Sequence, residues 1–256
     1  IIVAPNEADP ITPVVEKAYD SGIPVILVDR KIKSDKYTAY IGADNYDIGL
    51  RAGEYVKSRI DGHRPVRIAE VSGMRASTPA EDRHNGFSDA LGDMEGVQVR
   101  SIEADWTYDT AFMKFSQMLA ADKWLPDIIF AHNDIMAKAA YAAALNAGCE
   151  QDMILVGVDA LGGKGLGVDL VSNGVLDASL VYPTGGYKVA QVVMAVLEGT
   201  PFAREISLST EIITPSNAKI MQMQHSQISM MDEKIRTLDS LLDYRTTEYS
   251  TQRKIL

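Results

Sequence analysis

The chain has 256 residues, 46% hydrophobic and 23% charged, enough for one large domain or for two compact lobes that each bury a core. Its net charge of −10 argues against binding a nucleic-acid backbone, which needs a basic face. A single cysteine, Cys149, excludes an intramolecular disulfide, and no stretch reaches the roughly 18 continuous apolar residues that span a membrane.

The chain opens on an apolar strand, Ile1-Ile2-Val3-Ala4, with no signal peptide ahead of it, which predicts a fragment whose beginning lies upstream. Strand-like runs follow at Pro24–Val28, Val66–Val71, Val97–Ile102, Asp127–Ala131, Met153–Val158 and Leu176–Val181. Amphipathic helical stretches lie between them: Pro13–Ser21, Asp47–Ile60, Pro79–Leu91, Tyr108–Ala121, Asp134–Ala147 and Gly186–Glu198. Gly22, Gly148 and Gly199 each follow a helical stretch, where a positive φ is cheapest. Such alternation predicts βαβ units and a parallel sheet. Cys149 reads as a small buried hydrophobe at the end of the alanine-rich helix.

Polar residues gather where the strands end. Asp29-Arg30 follows Val28, Asn133-Asp134 follows Phe130-Ala131 by one residue, and Asp159 follows Val158. In open α/β sheets, ligands bind beyond the carboxyl ends of the strands, where side chains converge on one crevice. Asp29 or Asn133 taken alone equally suits a turn or a helix cap. Several such endings in one register favour a shared site.

From Ile220 the pattern changes to a heptad repeat. Met221, Ile228, Ile235, Leu242, Tyr249 and Leu256 recur every seven residues, and Met231 and Leu238 add the second seam position. The seam is well formed from Ile228 to Leu242, whereas Arg245 and Gln252 weaken it beyond. A helix packed on its own domain is one reading. Its length without Gly or Pro favours a partner helix, and with it a homodimer.

Six segments, in order, carry a resemblance: Ile1–Pro5, Gly22–Arg30, Ile41–Asn45, Asp82–Phe87, Phe130–Asp134 and Leu155–Asp159. Together they resemble the type I periplasmic binding proteins of the ribose-binding kind and their relatives in LacI-type repressors, over roughly residues 1–215. The resemblance implies an α/β, two-lobed fold with parallel sheets flanked by helices. It implies a first lobe from 1–43 and 183–212 and a second from 44–182 and 213–217. The C-terminal coiled-coil-like helix, 218–256, that the heptads predict is a departure from the transport members, which stop soon after the last crossing. In that family a further βαβα segment precedes the match to Ile1, so the first lobe here is expected to be partial, with a bare sheet edge.

The resemblance also implies ligand roles. Asp29 and Arg30 would stand on the first lobe, with Arg83, Asn133 and Asp159 on the second. Trp106 would occupy the family's aromatic position, although it also suits a core. Tyr182 would lie where the chain crosses between lobes. Ala4 stands where ribose binders carry Asn, which makes ribose itself less suitable and leaves Asn6 or Glu7 to compensate. Carboxylates and guanidiniums suit the many hydroxyls of a monosaccharide, and an aromatic face suits its C–H patch.

The terminal helix resembles the sensor domains of hybrid two-component histidine kinases, some of which recognise fructose. That points to a periplasmic sensor, anchored to the inner membrane by a segment after Leu256, with a monosaccharide as ligand. A free binding protein of an ABC transporter and the core of a LacI-type repressor are the alternatives. His63, His84, His132 and His225 have no metal-binding spacing, and Gly162–Gly167 departs from both the GxxxxGK[ST] and GxGxxG patterns, so it reads as a flexible loop. No cofactor, nucleic acid or catalysis is expected.

Overall fold

A computed structural model describes residues 1–252 apart from 63, 123 and 150–152; His63 and Leu256 thus lie outside the described residues. The elements in chain order are β1 (Ile2–Val3), α1 (Ala8–Asp20), β2 (Ile26–Val28), β3 (Ala39–Ala43), α2 (Asn45–Lys57), β4 (Val66–Ser72), α3 (Thr78–Leu91), β5 (Val97–Glu103) and α4 (Tyr108–Asp122). They continue with β6 (Ile128–Ala131), α5 (Asp134–Asn146), β7 (Ile154–Asp159), α6 (Gly167–Ser172), β8 (Ala178–Val181), α7 (Gly186–Glu198), β9 (Glu205–Leu208), β10 (Ile212–Ile213) and α8 (Ala218–Gln252).

The strands form a four-stranded parallel sheet, β1-β2-β3-β9, and a six-stranded one, β10-β8-β7-β6-β4-β5, in which only β10 is antiparallel to its neighbour. Period-two alternation explains the layering. Leu27 of β2 and Val25 just before it pack with Val15 of α1, while Ile26 packs the other way with Val189 and Val192 of α7. In the larger sheet, Ile128 and Phe130 of β6 meet Ile48, Val56 and Phe87 of α2 and α3, while Ile129 and Ala131 meet the α4–α5 side. Helices cover both faces of the central strands of each sheet, as parallel sheets require, while the edge strands β1 and β5 are largely exposed.

The chain passes between the sheets after β3, after β8 and between β9 and β10. The carboxyl ends of β2, β4, β6 and β7 therefore face a common cleft at these crossings. Helices α2 and α3 pack closely because Gly49 has no side chain; a Cβ there would lie 2.1 Å from the Arg83 carbonyl oxygen. That approach holds Arg83 against the sheet.

Several expectations shift. Helix α1 begins at Ala8 rather than Pro13, because Pro10 falls in the first turn, where its missing N–H has no partner to lose. Strands β3, β9 and β10 and helix α6 were not read from periodicity. Cys149, just past α5, is only partly buried; it packs against the core with Sγ 3.5 Å from the Ala144 carbonyl oxygen. Gly22, Gly148 and Gly199 have the positive φ expected of them, 78°, 64° and 66°.

The base of α8 is seated on the larger sheet's helices: Ala218 is buried, Met221 packs on the core, and Gln222 Nε2 donates to Asp169 Oδ1 at 3.4 Å. Beyond it, Ile228, Met231, Ile235 and Leu238 are 55%, 64%, 55% and 59% exposed along one stripe.

Candidate functional site

Six of the eight predicted residues, Asp29, Arg30, Arg83, Trp106, Asp159 and Tyr182, meet around the cleft, and three of them have a left-handed or otherwise positive-φ backbone. Asp29, at the end of β2, has φ 70°; Trp106, after β5, has φ 65°; Asp159, at the end of β7, has φ 118°. With Asp105 and Ala160, these are the five non-glycine residues of positive φ among the described residues, and all lie just past or at the carboxyl ends of β2, β5 and β7. Left-handed backbone at a non-glycine costs about 1–3 kcal/mol, and such strain persists where the surroundings impose it, commonly at functional sites.

Arg83 is 3% exposed and held by two hydrogen bonds. Its Nε donates to Asn45 Oδ1 at 2.9 Å, and its Nη1 donates to the His132 carbonyl. Its guanidinium carbon lies 5.5 Å from the centre of the Trp106 ring and 5.0 Å from that of Tyr182, within cation–π range. Burial lowers the Arg83 pKa, and the nearby Asp159, Tyr182 and Asp29 oppose that.

Trp106 fits because residue 73 is glycine: a Cβ on Gly73 would stand 2.2 Å from the indole. From the smaller sheet Arg30 reaches the same ring, 5.7 Å from its centre, so the ring has a guanidinium from each side of the cleft near it. Arg30 Nη1 donates to the Asn6 carbonyl at 2.8 Å and to Asn6 Oδ1 at 3.2 Å, and Nε lies 3.6 Å from Asp29 Oδ2. Asn6 is itself exposed and touches the site only through Arg30.

Tyr182, just past β8, donates to Asp29 Oδ1 across the crossing, and Tyr40 donates to the Asp29 carbonyl at 3.1 Å. Burial, then Asp29, raises the pKa of both phenols, so each remains a donor. Burial raises Asp159 to about 6, against the opposing pull of Arg83.

Asn133 is the residue whose side chain is most occupied by structure. Its Oδ1 caps α5 by accepting from Met136 N at 2.8 Å, and its Nδ2 donates to the Trp106 carbonyl at 3.2 Å. It thus helps hold Trp106 at the cleft. Asp134 beside it is buried; its Oδ2 accepts from Ala160 N at 2.8 Å and its Oδ1 from Ser179 Oγ at 2.7 Å. That pins the strained turn carrying Asp159, and burial raises the Asp134 carboxyl to about 8.

Two donors at the cleft are buried without a hydrogen-bond partner among the described residues, Trp106 Nε1 and Arg30 Nε, the latter in ion-pair contact with Asp29 at 3.6 Å. A buried unpaired donor costs about 1–3 kcal/mol unless a ligand supplies an acceptor. Formal charges also balance, with Asp29 and Asp159 against Arg30 and Arg83. The arrangement suits an uncharged ligand rich in hydroxyl groups. Asn45, Tyr40, His132 and Gly73 were missed as contributors, although Asn45 and His132 lie inside the segments that carried the resemblance.

Among the described residues no group of three His, Cys, Asp or Glu side chains is placed to hold a metal ion. The Gly162–Gly167 segment is a loop leading into α6, and its Gly165 N–H donates to Asp169 at 2.7 Å. A cavity of about 690 Å³ lies outside the cleft, between this loop and α8, lined by Lys164, Asp169, Gln222 and His225 among others.

A two-sheet α/β domain with a polar, charge-balanced cleft at its crossings is the arrangement of a ligand-binding domain. A family model described as a periplasmic binding protein domain matches residues 1–201. The chain belongs to that family, and its sheets and flanking helices form the type I periplasmic binding protein fold. It is 47% identical to a solved fructose-binding periplasmic domain of a hybrid two-component system, with TM-score 0.88, covering 93% of this chain and 78% of that one. The binding component of an arabinose ABC transporter from Shewanella, solved with arabinofuranose, is 26% identical at TM-score 0.80, covering 91% and 78%. The ribose import binding protein of Escherichia coli is 28% identical over 182 residues, 70% of this chain and 58% of its own length. The chain spans 58% and 66% of the first two ribose-binding relatives. No helix among the described residues is long and apolar enough to cross a membrane.

Proposed function

We propose that this chain is an extracytoplasmic sensor domain that clamps a monosaccharide, fructose, between its two lobes and passes the closure on through α8 to a membrane histidine kinase. The observation that supports the sugar reading is the pair of buried donors without a hydrogen-bond partner, Trp106 Nε1 and Arg30 Nε, in a cleft of balanced charge. A furanose or pyranose ring offers hydroxyl oxygens to those donors and hydroxyl protons to Asp29 and Asp159. Its C–H face suits the Trp106 ring. Fructose is favoured over other sugars by the similarity to the fructose-binding domain.

The proposed lobes are 1–43 with 183–212 and 44–182 with 213–217; the pairing of Ile212 and Ile213 with β8 supports a last crossing close to residue 212. The ligand favours the closed state because only there does it touch Arg30 and Asp29 on one lobe and Arg83, Trp106 and Asp159 on the other. The route toward α8 starts at the Asp159–Ala160 turn. It runs along the loop to Gly162, against which the His225 imidazole packs, and to Asp169, which accepts from Gln222. The exposed stripe from Ile228 to Leu238 suits a parallel pairing with a second copy.

The second reading, a free binding protein of a sugar transporter, is supported by the similarity to the arabinose transporter component. Sedimentation velocity separates the two. A ligand-binding homodimer that α8 substitutions convert to a monomer supports the sensor, whereas a monomer at every concentration supports the carrier. Calorimetry with fructose tests the ligand: a saturable heat is expected, and its absence for fructose and all other common monosaccharides refutes the sugar reading.

A further inference from the structure

Behind the cleft wall lies a polar chain centred on a buried carboxylate. Glu70, in the interior of β4, has no exposed surface, and a carboxylate there is costly unless every oxygen is bonded. Three elements supply the partners. His132, past β6, lies with Nε2 3.0 Å from Oε1; His84, on α3, puts Nδ1 2.8 Å from Oε2; and Ser101, on β5, donates to Oε2.

The chain continues from His132 toward the cleft in two directions. Its ring Nδ1 accepts from the Gly73 N–H at 3.4 Å, which leaves the proton on Nε2 to be donated to Glu70. Gly73 is the residue against which the Trp106 indole lies. The backbone carbonyl of His132 accepts from Arg83 Nη1. One residue therefore supports both the guanidinium and the aromatic of the larger lobe.

We infer that Glu70 is a positioning residue for the cleft: by fixing the tautomer and orientation of His132, it holds Arg83 and Trp106 in place from behind. Burial also lowers the His132 pKa, so the ring is neutral and the tautomer is a defined property. The orienting carboxylate behind a functional histidine has a familiar logic, in which the outer partner sets which nitrogen carries the proton. The inference rests on the reading that the cleft binds a sugar.

Calorimetry with fructose on the full chain, with a melting temperature for each variant, tests it. Glu70→Leu removes the acceptor and is expected to raise the Kd at least tenfold. Glu70→Gln keeps an oxygen for Nε2–H and is expected to stay within threefold. Ser101→Ala touches the same carboxylate from the far side and is expected to stay within twofold whatever it does to the melting temperature. Affinity losses that simply track melting temperature across the three variants would make Glu70 a purely structural residue and overturn the inference. Should Glu70→Leu fail to fold, nitrogen-15 spectra of the wild-type imidazoles decide: His132 protonated at Nε2 and bare at Nδ1 is expected, and a proton on Nδ1 overturns it. A wild-type chain that binds no monosaccharide fails the sugar reading instead, a separate result from any of these.

Discussion

Replacing Gly73 with alanine isolates the contact that seats Trp106. Gly73 is buried and its φ is not in the left-handed region, so the backbone tolerates alanine. The added Cβ would stand 2.2 Å from two indole carbons and 2.4 Å from a third. Carbon atoms pack at about 3.5–4.0 Å, so the ring must retreat by more than about 1 Å. The retreat weakens two cation–π contacts, each worth about 0.5–2 kcal/mol, and misaims Nε1, whose lost hydrogen bond costs about 1–3 kcal/mol. A combined loss of about 2–4 kcal/mol corresponds to roughly 30- to 1000-fold weaker binding. Titration calorimetry with fructose measures it, and the shift of tryptophan emission reports the ring's displacement. Affinity of Gly73→Ala within threefold of wild type would refute the placement of Trp106 against the ligand.

Affinity for fructose should fall about tenfold between pH 7 and pH 5, because Asp159, raised to about 6 by burial, loses its acceptor charge over that interval. Asp159→Asn should bind more weakly at pH 7 and show a flatter profile; a wild-type affinity unchanged across this range removes Asp159 from the site. Asp134 concerns stability instead. Its folded pKa, about 8, lies above the unfolded carboxyl value, so the stability it contributes is greatest in acid and declines as pH rises toward 8, by up to about 1.4 kcal/mol per pH unit. Denaturant titrations of Asp134→Asn should lack that component of the wild-type slope, and identical slopes would contradict a buried, raised carboxyl. In α8, Ile235→Lys with Leu238→Asp should convert a dimer to a monomer in sedimentation while leaving the fructose Kd within twofold. A dimer that survives both charges would rule out the Ile228–Leu238 stripe as the interface.

The architecture was legible where periodicity was long. The strands at Val66–Val71 and Asp127–Ala131 and the helices after them carry alternation or a 3.6-residue pattern over enough positions to stand out, and they match β4, β6, α3 and α5 within a residue or two. Strand β9, Glu205–Leu208, alternates polar and apolar for only four residues, and β10 has two, which no pattern separates from a loop. Strand β3 is interrupted by Gly42, whose missing side chain makes room for the Tyr40 hydroxyl.

The cleft was legible where a residue acts through its side chain at a strand end, as Asp29, Arg30 and Asp159 do. Arg83 and Trp106 depended on the family resemblance, since nothing in the spacing of 83 and 106 places both on one wall. His132 and Gly73 act through a carbonyl, an N–H and an absent Cβ, features that residue type does not advertise. The positive φ of Asp29, Trp106 and Asp159 was hidden for the same reason, because the surroundings impose it and the residues themselves do not prefer it. Asn133 combined both readings that its position allowed, capping α5 while bonding the Trp106 carbonyl.

The central claim is that the charge-balanced cleft takes up one neutral sugar. Titrating fructose into the 256-residue chain at pH 7 measures this directly. The account predicts a saturable heat with one fructose bound per chain, abolished or strongly weakened in Gly73→Ala and Asp159→Asn. A flat titration for fructose and for every other common monosaccharide would contradict it.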